Sequence, residues 1–233
     1  MTDSRANAPD GGSAGIESFV VPVTPFQQNC SIVRCRQTGR GAIVDPGGEI
    51  ARILALAQRH DVKVLKILLT HAHVDHAGQT AALQDALGVP IEGPHVDDQF
   101  WIDSLPEAAL QFGLEPARTF TPDRWLAQGD VVTVGEAALE VRHCPGHTPG
   151  HVVFVTVESK LALVGDVLFH GSIGRTDFPR GDYATLIRSI RTQLLTLPDD
   201  VRFIPGHGPS STIGAEKRSN PFLVHPEQYG LLS

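Results

Sequence analysis

Cysteine is scarce in this 233-residue chain, and its three copies, Cys30, Cys35 and Cys144, are odd in number. That excludes a disulfide framework and points to a reducing, cytoplasmic setting. Long apolar runs are missing as well. No stretch approaches the roughly 18–20 uninterrupted apolar residues of a membrane span, so no membrane partner is expected. Basic charge is in deficit, with 19 Lys and Arg against 26 Asp and Glu and a formal charge of −7. This argues against nucleic acid, whose binders present a basic face. Wholesale disorder is excluded in turn, because 41% hydrophobic residues is ordinary for a globular core.

Against these absences stand 23 Gly, 17 Pro and 11 His. Glycine and proline together form about 17% of the chain, above the roughly 12% of average usage, so turns and loops are abundant. Histidine is the commonest metal ligand and a frequent acid–base group, so its placement decides the reading.

Residues 1–17 are polar and small with no apolar core, and are expected to be a disordered lead-in rather than a secretory signal. Residues 18–233 are expected to form a single domain. Phe19–Val23, Ser31–Arg34 and Ala42–Val44 are β-branched runs separated by turn formers, an opening meander. Glu49–His60 carries apolar residues at helical spacing (Ile50, Ile53, Leu54, Leu56, Ala57), and Val62–Leu69 reads as a buried strand. A second helix is predicted over His76–Leu87. Residues 90–130 have no clean period and read as a loop-rich insertion or lid. Its aromatics, Phe100, Trp101, Phe112 and Trp125, are read as covering a core more readily than as shaping a pocket. Val131–Val134, Ala138–His143, Val152–Val157 and Leu161–Val164 form a second meander, Ala184–Leu197 the last helix and Val201–Ile204 the last strand. Two strand groups, each followed by helices, imply two sheets face to face with helices outside.

The central motif follows the strand ending at Leu69: Thr70-His71-Ala72-His73-Val74-Asp75-His76-Ala77-Gly78. Four potential ligands in six residues cannot be a core feature, since several polar groups would then be buried unpaired. His71 and His73 can point the same way from an extended loop, while Asp75 and His76 begin a helix and can face a second point. Further metal-capable side chains occur at predicted strand ends beside glycine: His147 in Cys144-Pro145-Gly146-His147-Thr148-Pro149-Gly150-His151, Asp166 in Gly165-Asp166-Val167, and His207 in Pro205-Gly206-His207-Gly208. There backbone can approach a ligand closely on a well-anchored loop.

On these residues the chain resembles the metallo-β-lactamase superfamily, whose H-x-H-x-D-H loop, later His, bridging Asp and final His occur here in the same order. Gly171-Ser172-Ile173-Gly174-Arg175-Thr176-Asp177-Phe178-Pro179-Arg180-Gly181 and Asn220-Pro221-Phe222 narrow the resemblance to the compact bacterial glyoxalase II group. It spans roughly residues 18–225. The resemblance implies an α/β fold, a four-layer αββα sandwich of two mixed sheets with the site at one edge. It further implies that His71, His73 and His147 hold one metal, that Asp75, His76 and His207 hold a second, and that Asp166 bridges them. Asp75 and His76 are then the candidate catalytic pair as well as ligands. The cofactors implied are two divalent ions, zinc first and iron or manganese otherwise, which this imidazole and carboxylate set suits. Two ions about 3.5–4 Å apart can share a hydroxide at neutral pH, which attacks a thioester carbonyl. The implied substrate is S-D-lactoylglutathione or a related acylthiol.

Asp45, in Val44-Asp45-Pro46-Gly47-Gly48, either hydrogen-bonds a ligand histidine and fixes its tautomer or is simply a turn residue. His151 and His143 flank the His147 turn and are expected to support it. Cys144 is read as structural, and His60, His95, His170 and His225 as surface or helix-end residues. Arg175 stands where glyoxalase II has a glutathione-binding lysine. The tyrosine two residues on is Asp177, a second tyrosine position is Pro209, and with 26 residues after His207 the C-terminal helical domain of that group is not expected. Lys217 and Arg218 could replace its basic contacts or be a solvated pair. A rival reading is a persulfide dioxygenase, which shares the Gly174-Arg175-Thr176-Asp177-Phe178 stretch but uses one iron, held by His71, His147 and Asp166. A second rival is another hydrolase of the fold, such as a lactonase or a β-lactamase, the latter disfavoured by the cytoplasmic setting.

Overall fold

The protein is described by a computed structural model over residues 15–225 and Gln228. Its first sheet holds β1 (Ile16–Val23), β2 (Gln28–Cys35), β3 (Arg40–Val44), β4 (Lys63–Leu68) and β5 (Ile91–Glu92), in that order. The first three pair antiparallel, and β3–β4 and β4–β5 pair parallel. The second sheet runs β13 (Ser211–Thr212), β12 (Arg202–Pro205), β9 (Leu161–Gly165), β8 (Val152–Thr156), β7 (Ala137–His143), β6 (Val131–Val134), parallel only between β12 and β9. A small hairpin, β10 (Leu168–Phe169) and β11 (Ser172–Ile173), stands apart from both.

Strand alternation makes three apolar layers from these two sheets, because successive side chains point to opposite faces. Ile32, Ile43 and Ile67 point outward to the helices α1 (Ile50–Arg59), α3 (Thr80–Leu87) and α4 (Gln99–Phe112), meeting Ile53, Leu83, Ile102 and Leu105. Their sequence neighbours Val33, Val44 and Leu68 point inward and meet Leu139, Val141, Phe154 and Leu163 of the second sheet. Val153, Val155, Ala162 and Phe203 face the far side, covered by Leu186 and Ile190 and by Ile213. This is the αββα sandwich that the strand grouping and the resemblance predict.

Local departures from the sequence reading have physical causes. The lead-in to residue 17 is corrected at its end, while residues 1–14 lie outside the described residues. Ile16 is buried opposite Cys35 and donates its N–H to Ser159 Oγ, and Glu17 pairs with Arg34. The helix expected over 76–87 is broken into α2 (Val74–Ala77) and α3, because the Gln79 N–H leaves the helix for the Pro46 carbonyl. The supposed loop at 90–130 contains the 14-residue α4, whose Pro106 and crowded aromatics hide its period. Ile102, Leu105 and Ala109 nevertheless line its buried face, and Gly113, at φ 64°, ends it in the left-handed conformation. The helix expected over 184–197 is α5 (Tyr183–Ser189) followed by a wider π turn at Ile190–Leu194. Two short helices, α6 (Ile213–Ser219) and α7 (Pro221–Val224), lie beyond the element read as last.

Candidate metal centre

The seven predicted donors converge at one edge of the sandwich, on loops that leave the strand ends. After β4 the chain stays extended through His73 (φ −64°, ψ 150°) and then closes one helical turn, α2, which carries Asp75 and His76. His147 lies in the β7–β8 turn, Asp166 directly follows β9, and His207 follows β12. The facing atoms of His71, His73 and His147 all lie within 4.8 Å of one another, and so do those of Asp75, His76 and His207. Asp166 stands between the sets. Its Oδ1 is 3.3 Å from His76 Nε2, and its Oδ2 is 3.6 Å from both His147 Nε2 and His207 Nε2.

The outer ring nitrogens of four histidines, His71, His76, His147 and His207, are held so that the inner ones face the centre, the arrangement that fixes a ligand tautomer. Thr70 donates its N–H and hydroxyl to the Asp45 carboxylate at 2.7 and 2.6 Å. The Thr70 oxygen is therefore left to accept from His71 Nδ1 at 3.0 Å, which frees His71 Nε2. His76 Nδ1 donates to Asp45 Oδ2 at 3.0 Å, His147 Nδ1 to the Arg175 carbonyl at 2.7 Å, and His207 Nδ1 to the Phe26 carbonyl at 3.1 Å. His151 supports the centre from beneath, accepting the Asp166 N–H at 3.0 Å and stacking on His71. Of the two roles open to Asp45 the structure shows a hydrogen bond to His76, while the His151 side chain reaches Asp166 and His71 from beside the His147 turn.

Metal ions fit this donor set. His71 Nε2 and Asp166 Oδ1 are buried with no hydrogen-bond partner, and the inner nitrogens of His73 and His147 meet at 3.0 Å. Buried polar atoms left in this way carry a desolvation cost that a cation would offset. The close packing also depends on glycine: a Cβ on Gly206 would sit 2.0 Å from Asp166 Oδ1, and one on Gly47 would be driven into the Asp75 carbonyl.

Charge divides the centre. Burial, reinforced by the neighbouring imidazoles, holds His71, His73 and His147 below the ordinary histidine range, so they are neutral lone-pair donors. Burial acts the same way on His76 and His207, but Asp166 and Asp75 outweigh it and raise both. Burial would raise Asp166, yet the facing His76, His147 and His207 keep it far below the carboxylate range.

Two supporting residues escaped the sequence reading. Asp98, wholly buried, accepts from Ala72 N (3.1 Å), Thr148 Oγ1 (2.8 Å) and Gly150 N (2.6 Å). It clamps the loop holding His71 and His73 to the turn holding His147. Burial pushes its carboxyl up to about 6 against the pull of these donors. Asn29, in β2, donates its side-chain amide to the Pro205 and Gly208 carbonyls around His207. β2 also carries Gln28, Ser31 and Arg34, so nothing local singles out Asn29, and nothing local marks Asp98.

A cavity of about 750 Å³ opens over His73, Asp75, His147, Asp166 and His207, with α4 as one wall. The reading of the aromatics as core cover is corrected in part: Trp101 and Phe112 line this cavity, while Trp125 packs on the core and Phe100 lies under Arg180. Arg175 lines it too, with its guanidinium on Asp177. Lys217 and Arg218 are paired with Asp199. Cys144 is fully buried, and burial pushes its thiol up, which fits a structural role. His143 and His95 stack at 4.4 Å away from the centre, with Asp97 beside His95.

Residues 23–207 match the family model of the metallo-beta-lactamase superfamily. The chain is 51% identical over 205 residues to the hydroxyacylglutathione hydrolase GloC of Haemophilus influenzae, covering 88% of this chain and 96% of that one. It is 36% identical to a probable metallo-hydrolase, YqgX, of Bacillus subtilis, covering 87% and 95%. Among solved structures it is similar to TTHA1623 in a di-iron-bound form, with a TM-score of 0.80, 40% identity and coverage of 88% of this chain and 100% of that one.

Proposed function

The chain belongs to the metallo-beta-lactamase superfamily, and from that premise we propose that it is a metal-dependent thioester hydrolase of glyoxalase II type. Its substrate would be S-D-lactoylglutathione or a related acylthiol, cleaved by water to carboxylic acid and thiol. The observation that carries this reading is the pair of donor sets joined at Asp166, with the outer ring nitrogens of His71, His76, His147 and His207 held. His71, His73 and His147 would hold one divalent ion, Asp75, His76 and His207 the other, and Asp166 both. Two such ions lower the pKa of a bound water toward about 7 and polarise the scissile carbonyl. Zinc suits the donors, as does iron, the metal of the TTHA1623 structure.

The chain's own residues would do the rest. Asp45 holds His76 and, through Thr70, His71 in orientation, so that both Nε2 atoms face the centre without rearrangement. Asp75 lines the cavity with its Oδ2 3.1 Å from His207 Nε2, and as a carboxylate there it would take the proton of the attacking water. The departing thiolate needs little acid assistance. The hydroxyacylglutathione hydrolase relative supports the thioester class. Cys30, Cys35 and Cys144 are all free and buried, which supports a cytoplasmic setting. No described helix is long and apolar enough to cross a membrane.

Elemental analysis with a thioester assay tests the proposal. Two ions per chain and hydrolysis of S-D-lactoylglutathione or another acylthiol, lost on chelation and restored by metal, are expected. A single iron with oxygen uptake on glutathione persulfide would overturn it in favour of a dioxygenase.

A further inference from the structure

The cavity above the centre is unlike a site built for an anionic tripeptide. Trp101, Leu105, Ala108 and Phe112 recur at helical spacing and turn one stripe of α4 toward it. In its wall Phe112 meets Phe26 edge to face, with ring centroids 5.8 Å apart. Both rings are unusually open for phenylalanine, 52% and 45% exposed. An exposed apolar pair at the mouth of a concave site marks a binding surface.

Charge in the cavity wall points the same way. Apart from the candidate ligands, the charged side chains lining it are Arg175 and Glu107. The Arg175 guanidinium donates to both carboxylate oxygens of Asp177, at 3.0 and 2.8 Å, and lies over the Phe178 ring at 4.6 Å. Its charge is already paired. Arg180 stacks on Phe100, and neither lines the cavity. Glutathione would bring two carboxylates and one ammonium to a wall whose one cation is shared with Asp177 and whose other charge is the Glu107 carboxylate. Its charges find little net attraction there, whereas the apolar stripe offers an uncharged chain a continuous surface.

Two imidazoles border Asp166 on the cavity floor, each 3.6 Å from its Oδ2: His147, held by the Arg175 carbonyl, and His207, held by the Phe26 carbonyl. A thioester lying across the floor sends one arm toward Arg175 and the other toward the aromatic pair. We propose that the second arm is an uncharged hydrocarbon chain or aromatic ring lying along α4 with its end against the Phe26–Phe112 pair. Apolar acylthiols are then turned over in preference to S-D-lactoylglutathione. The inference rests on the thioesterase reading and specifies its substrate class.

The test uses the metal-loaded full chain and two substrate series. In one the acyl group on glutathione grows from acetyl to octanoyl, and in the other acetyl is fixed on alkane thiols of rising length. In one series kcat/KM is expected to rise about threefold to fourfold per methylene, the equivalent of roughly 0.8 kcal/mol for each buried CH₂. S-D-lactoylglutathione should fall well below hexanoylglutathione or below acetyl hexanethiol. The series that rises identifies the arm. In the Phe26→Ser/Phe112→Ser variant, with thermal melting to check folding, the slope per methylene should flatten. An unchanged slope overturns the placement of the arm. Flat series with S-D-lactoylglutathione the best substrate overturn the inference and leave the thioesterase reading standing. Failure of every thioester overturns that reading itself.

Discussion

The two sheets furnish the candidate centre in different ways. The first sends out one loop after β4, and six residues of it carry His71, His73, Asp75 and His76. The second contributes His147, Asp166 and His207 singly, each from its own strand end. The first contribution is a unit, held through Thr70 by one buried carboxylate, Asp45. The second is an assembly whose members need separate anchors: the Arg175 carbonyl, His151, and Asn29 reaching over from the first sheet. Donors clustered in sequence can share a support, whereas dispersed donors depend on the packing of the whole sandwich.

The strongest test of that contrast is to remove part of the unit. His71→Ala with His73→Ala is expected to abolish hydrolysis and remove metal, read by elemental analysis beside the assay. Retained turnover would break the assignment. Next comes the clamp between the two contributions. Asp98→Ala should lower metal affinity or activity by roughly 10–100-fold, as loss of groups that orient ligands does. It should also cost about 1–3 kcal/mol of stability from the donors left buried, measured by denaturant titration of the metal-free protein. If Asp98→Ala matched wild type, the loop and the His147 turn would be independent supports.

The smallest expected effect on activity lies at the edge of the second sheet. Glu216, buried in α6, accepts from Gly171 N, Asn220 Nδ2 and Ser211 Oγ, tying α6 and α7 to the hairpin after Asp166. Burial would raise its carboxyl, but these hydrogen bonds prevail and lower it. A lowered carboxyl contributes stability above its unfolded value of about 4.3 and loses it as pH falls through the folded value. Glu216→Gln should therefore destabilise by about 1–3 kcal/mol at pH 7, with the gap to wild type closing in acid. Melting curves across pH check this, and a gap independent of pH would contradict the sign.

Legibility follows the same division. The loop at 70–78 could be read because its donors are neighbours in sequence, and His147, Asp166 and His207 because glycine stands beside each. Strands were visible as β-branched runs between turn formers, and the sandwich followed from their grouping. Asp98 was invisible because its partners lie 26, 50 and 52 residues away. The α2–α3 break was hidden for a related reason, since a carbonyl from another loop, Pro46, draws the Gln79 N–H out of line. In α4, Pro106 and the aromatics obscured the period that burial of Ile102, Leu105 and Ala109 discloses. The tail helices are only one to two turns long, and their starts rest on Thr212 and Asn220 side chains bonding Ala215 and Phe222 N–H groups. Such short elements carry too few residues for periodicity to register.

Arg175 touches the centre and the cavity with different parts of itself. Its peptide carbonyl orients His147, while its side chain reaches the rim and Asp177. A carbonyl is common to every amino acid, so residue 175 can be exchanged without withdrawing the group that steers the imidazole. Rim chemistry and floor chemistry are thereby uncoupled at one position, and descendants of this chain are free to explore new substrates there while the hydrolytic apparatus stays in register.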